Sequence, residues 1–137
     1  MTQIPVEPII LKDVVLTLGT DTYEKHVSQV EFTPAASIVN WKGLSPASVF
    51  AFPTAAVWSC TLAYAQDWKT TDSLSRYLYD NEGEQVAASF KPVSGSGGTW
   101  SADLLIIPGA IGGTVDQVAV ATVTLGVLGR PEFTPPA

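Results

Sequence analysis

The chain has 137 residues of even composition, which suits one domain able to bury about two-thirds of its unfolded surface in a single core. An apolar fraction of 46% against 15% charged excludes a disordered chain, and ten prolines with eleven glycines favour many turns over long helices. A formal charge of −6, with only seven scattered Lys and Arg, argues against binding nucleic acid through its phosphates.

Met1-Thr2-Gln3-Ile4-Pro5 has neither the basic nor the apolar region of a secretory signal, so synthesis in a cytoplasm is expected. Pro5 and Pro8 withhold backbone donors and mark residues 1–8 as an extended N-terminal arm. Strand pattern begins at about Ile9, with Val14, Leu16 and Leu18 on one face, and stops at Gly19-Thr20-Asp21. A second strand is expected from about Tyr23 to Phe32, forming a hairpin with the first. Neither of its faces is cleanly apolar, which suits a surface between subunits.

Ile38 to Trp41 gives a short third strand. Gly43 to Gln66 carries no formal charge, yet Pro46, Pro53 and several Ser and Thr interrupt it, so no membrane insertion is expected. From Ala56 to Ala65 the sequence alternates at strand period, and Trp58, Cys60, Leu62 and Tyr64 form one bulky face assigned to the core. Cys60 has no partner for an internal disulfide and reads as a small core residue.

A helix is predicted over about 71–81. Thr70-Thr71-Asp72 offers a capping hydroxyl and an acid, and Gly83 a C-terminal stop. Leu74, Tyr77 and Leu78 fall on one narrow stripe, so this helix must pack on a sheet. Strands resume at Gln85 to Lys91, Thr99 to Ile107 and Val115 to Leu128, separated by Ser94-Gly95-Ser96-Gly97-Gly98 and Pro108-Gly109. The expectation is a mostly β fold, an antiparallel sandwich or barrel of about seven strands with one flanking helix. Residues 9–128 form the β core, and the proline-rich residues 129–137 a second extended arm.

Chemistry is hard to assemble from these residues. The single histidine, His26, lies on a polar strand face with no nucleophile elbow anywhere in the chain. One His and one Cys do not make a zinc cage, and Asp80, Glu82 and Glu84 read as a solvated turn. The glycine run at 95–98 lacks the Lys-Ser/Thr of a phosphate loop. No enzyme, metal or cofactor is therefore expected. Trp41, Trp58, Trp68 and Trp100 suit either a core and subunit contacts or the aromatic platforms of a monomeric carbohydrate- or protein-binding module.

The order of elements, the helix passage Ser73-Leu74-Ser75-Arg76-Tyr77-Leu78-Tyr79-Asp80-Asn81-Glu82-Gly83-Glu84 and the ending Val120-Ala121-Thr122-Val123-Thr124-Leu125-Gly126-Val127-Leu128-Gly129-Arg130-Pro131 resemble the major tail tube proteins of long-tailed phages. Related ring proteins occur in contractile injection and type VI secretion systems. The resemblance implies a structural subunit of a virion tail, made in the host bacterial cytoplasm. It would close into hexameric rings stacked as a tube, through which DNA passes without being held. It also implies tape measure, tail terminator and baseplate proteins as partners. The connection Thr33 to Ser37 is short for reaching a neighbouring ring, so the ring-to-ring contact is expected from the arms, at Ile4, Pro5, Val6, Pro8, Pro131 and Phe133, with Gly43 to Pro53 as the next candidate.

Overall fold

The computed structural model describes residues 2–93 and 98–135; Met1, Ser94 to Gly97 of the glycine-serine connection, Pro136 and Ala137 lie outside the described residues. Along the chain run β1 (Val15–Leu18), β2 (Asp21–Thr22), β3 (Val27–Ala35), β4 (Ile38–Lys42), β5 (Val49–Pro53), β6 (Val57–Ala65), α1 (Leu74–Asp80), β7 (Gln85–Lys91), β8 (Thr99–Leu105) and β9 (Val120–Thr134). Seven of the nine strands make one antiparallel sheet in the order β2-β1-β7-β8-β9-β6-β3, and β4 pairs with β5 as a separate hairpin.

The large sheet curls so that its two halves face each other. Phe32 on edge strand β3 meets Phe90 on β7 across the interior, with ring centroids 6.1 Å apart. Period-2 alternation fills the space between. Leu16 and Leu18 of β1, Cys60, Leu62 and Tyr64 of β6, Val86, Ala88 and Phe90 of β7, and Ala121, Val123, Leu125 and Val127 of β9 all point inward. Trp58 lies at the edge of this core, half-buried.

The helix closes one end of the core. It begins later than its sequence suggests: Ser73, not Thr70 or Thr71, is the N-cap and accepts from the Arg76 N–H at 3.4 Å. The Asp67 carboxylate accepts from the N–H groups of Lys69 and Thr70, which folds residues 67–72 into a turn and leaves no acid in the first helical turn. These hydrogen bonds, led by Thr70, hold the Asp67 carboxyl below its ordinary range. Leu74 and Leu78 are each 0% exposed, while Tyr77 is half-buried and packs on Tyr23, centroids 5.7 Å apart. The Gly83 backbone takes φ +88° and donates to the Ile106 carbonyl, tying the end of the helix to the strand β8 chain.

Several expectations are corrected. The first strand starts at Val15 rather than Ile9, because Asp13 takes φ +52° and only an isolated bridge between Lys12 and Val93 holds the chain before it. Tyr23 to His26 is a turn, and the second long strand runs Val27–Ala35, pairing with β6 and not with β1. The segment Gly43 to Pro53, to which sequence assigns no strand, is the turn and far strand of the β4–β5 hairpin. Most consequentially, residues 129–134 are not an arm. The register steps from Asp103↔Leu128 to Ser101↔Glu132, so a bulge at Gly129, with φ +77°, carries β9 past Pro131 to Thr134. Pro131 is buried, and Phe133 stacks on Trp100 with centroids 4.7 Å apart.

Removing the Leu74 side chain leaves a cavity under the helix, so Leu74→Ala should cost about 2–5 kcal/mol, read from the denaturant midpoint. An unchanged midpoint would show that the helix does not close the core. A second expectation concerns alkaline pH. Burial pushes the Cys60 thiol and the Tyr23 hydroxyl up to about 12, the latter helped by Asp21, and raises Tyr64 and Tyr77 as well. The fold thus favours their neutral forms: this stability is fully present below the unfolded thiol value of about 8.5 and is lost as pH rises toward 12. The thermal midpoint should fall steadily from pH 9 upward, and Cys60 should resist alkylation until denaturant is added. A flat midpoint over that range would contradict the assignment.

Candidate assembly surfaces

Several surfaces remain once the core is filled. The first is the β4–β5 hairpin. Its base is stapled by Ser37 and Thr54: the Ser37 N–H donates to Thr54 Oγ1 at 2.9 Å, and the Thr54 N–H donates to the Ser37 carbonyl at 2.8 Å. Its far end is closed by the Gly43 N–H donating to the Ser48 carbonyl at 2.7 Å. Directly opposed pairs share a face, so Val39↔Phe52 and Trp41↔Phe50 place four large apolar side chains on one side. All four are 50–59% exposed, and none joins the core. The other side mixes Ile38, Val49, Ala51 and Pro53 with Asn40 and Lys42. An isolated two-stranded hairpin is marginal in water, and an apolar face of this kind marks a contact surface.

The second surface is the N-terminal segment. Residues 2–13 are exposed, with Ile4 at 83% and Val6 at 80%, and Pro5 and Pro8 among them make no ladder contact. Of the residues assigned to ring-to-ring contact from sequence, Ile4, Pro5, Val6 and Pro8 thus lie on a free segment. Pro131 and Phe133 instead belong to the sheet. The third surface is a groove of about 410 Å3 at the open seam between β3 and β7, where Val30, Phe32, Trp58, Phe90, Trp100 and Pro131 converge.

The outward face of the sheet has a different character. Thr33, Ser59, Thr61, Thr122 and Thr124 follow one another across β3, β6 and β9, with Thr61 and Thr124 hydroxyls 3.3 Å apart. Charges on these strands are few, Glu31 on β3 and Arg130 and Glu132 on β9. Gln66 pins the connection before β9, its side chain donating to the Gly112 and Val120 carbonyls and accepting from the Gly112 N–H at 3.0 Å. Beside it Trp68 stands edge-on to Tyr79, and with Arg76, Asp80 and Ile111 they line a shallow open groove.

His26 sits in the turn before β3, edge-on to Tyr23 at 5.9 Å, with its Nδ1 unpartnered. No group of three or more His, Cys, Asp or Glu placed to hold a metal ion occurs among the described residues, and none of the described helices is long and apolar enough to cross a membrane. Trp41 on the hairpin is one of the four tryptophans whose role sequence left open: it is a surface aromatic, and the signal that could have found it was the Val39/Trp41 and Phe50/Phe52 alternation about Gly43.

No family model and no curated protein matches the chain. Solved structures do. A chain of the extracellular contractile injection system described as the PVC sheath/tube terminator in its extended state is similar over 94% of this chain and 98% of its own, with a TM-score of 0.61 and 15% identity. A chain of the anti-feeding prophage cap, the AFP tube-terminating cap, is similar over 98% of this chain and 96% of its own, with a TM-score of 0.63 and 15% identity. The likeness runs nearly end to end on both sides, so the protein shares its fold with chains found in the tube-terminating assemblies of contractile injection systems.

Proposed function

We propose that this chain is a structural subunit of a phage tail or a related injection particle, which self-associates into rings that stack as a tube. One observation carries the reading: a stapled hairpin presents Val39, Trp41, Phe50 and Phe52 to solvent with no cover from its own domain. Burying that face against a neighbouring copy removes apolar area from water and stabilises a hairpin that is marginal alone. The end-to-end fold likeness to chains of tube-terminating assemblies supports the same placement, and the resemblance to tail tube proteins implies six copies per ring. A place at the end of a tube, as a terminator or cap, fits the same surfaces; in either place its partners are other tail-assembly proteins.

The hydroxyl-bearing outward face of β3, β6 and β9 suits a channel wall. Small Ser and Thr side chains with few cations give passing DNA little electrostatic hold, and the net charge of −6 repels phosphate. The role is non-enzymatic and needs no cofactor. Trp41→Asp and Phe50→Asp lie on a surface outside the core, so the folded subunit should keep its unfolding free energy within about 0.5 kcal/mol. Rings and tubes should disappear from electron micrographs, whereas Asn40→Asp on the opposite hairpin face should leave them intact. Unaltered rings in the Trp41→Asp protein would sink the hairpin contact, and a parent protein that stays monomeric at high concentration would sink the assembly reading itself.

A further inference from the structure

The groove at the β3–β7 seam and the N-terminal segment are complementary, and we infer that residues 4–8 of one copy dock in that groove on the next copy. This rests on the self-assembly reading above and names the site and the segment that join two subunits.

The groove is lined by Trp58, Trp100, Phe32 and Phe90, with Val30 and Pro131 among its other apolar walls and Glu31 as its charged lining residue. Aromatic-walled grooves accept extended proline-containing segments, because such a segment is already ordered and its rings lie flat on aromatic faces. Ile4-Pro5-Val6-Glu7-Pro8 is a segment of that kind, and it is the stretch of the described chain whose Ile and Val are most completely exposed outside the hairpin and the connection before β9. Its own groove does not take it: Ile9 and Leu11 are among the groove's lining residues, and the chain before them stays in solvent. Fully extended, residues 2–8 reach up to about 25 Å, enough to cross to a neighbouring subunit. Each copy then gives one segment and receives one, a head-to-tail contact that closes as a ring or continues along a tube.

The test uses full-length protein in which the buried Cys60 is silent. A Val6→Cys variant is mixed with a Pro34→Cys variant, whose substitution lies on the groove rim, assembled, and oxidised mildly. Disulfide-linked dimers should form at least about tenfold faster than when Pro34→Cys is replaced by Asp80→Cys, which lies in the groove beside the helix, because docking raises the effective concentration of the two thiols. Equal rates in the presence of rings or tubes would overturn the inference and leave self-assembly standing. An intrachain disulfide in a monomeric Val6→Cys/Pro34→Cys double variant would overturn it too, since the segment would then serve its own groove. Absence of both rings and cross-links would overturn the inference together with the reading it rests on.

Discussion

The apposition of Phe32 on β3 and Phe90 on β7 is the contact on which the remaining surfaces depend. It brings the two halves of one sheet together, and the interior that results is filled by side chains of that sheet, by Leu74 and Leu78 from the helix and by Tyr23 and Ile106 from the connections. A chain of this size sustains one such core. Every apolar segment that does not contribute to it, the β4–β5 hairpin and the stretch from Ile4 to Leu11 above all, is left facing water. Exposed apolar surface in this protein is thus a consequence of how the core closes, and it gathers on the hairpin, the N-terminal segment and the connection before β9.

The same closure leaves the sheet with two unlike edges. On one side β1 is covered only by the two residues of β2, and on the other β3 offers a nine-residue edge without a lysine. Long unguarded edges invite pairing with other chains, and this one is interrupted by Pro34 and twisted by the bulge at Ser28. Those devices weaken indiscriminate edge pairing while leaving the side-chain surfaces of the hairpin and groove intact. Association through defined side-chain contacts is more selective than association through backbone alone.

Much of the fold was legible in the sequence wherever alternation was unbroken. Trp58, Cys60, Leu62 and Tyr64 lie on one face as their spacing predicts, and the strand Gln85–Lys91 runs over the residues its pattern marked. Alternation misled where a bulge shifts it. Val27 and Val30 are three apart yet both pack on the core, because the register slips between Val27 and Gln29, so a strand with two mixed faces was in fact a strand with one apolar face and an insertion. Gly129-Arg130-Pro131 looked like a terminator for the same reason: no local signal separates a glycine that ends a strand from one that bulges it. Only the partner strand β8, with Trp100 waiting for Phe133, decides between them.

The candidate site was less legible than the core, and the cause is physical. A core residue announces itself by periodicity against its own chain, whereas an interface residue is defined by a partner the sequence does not mention. Sequence assigns no strand to Gly43 to Pro53, a stretch interrupted by Pro46 and Pro53, although Pro53 stands at the end of β5, where the missing N–H costs little. The N-terminal segment was recognised as free because proline prevents any regular alternative, but its complement was not, since the groove draws Val30, Trp58, Phe90, Trp100 and Pro131 from five different strands. Surfaces of that kind arise only from the register of the whole sheet. A single shift of one residue in β8 against β9 would turn Trp100 away from Phe133 and dismantle the groove while leaving each strand's own pattern unchanged.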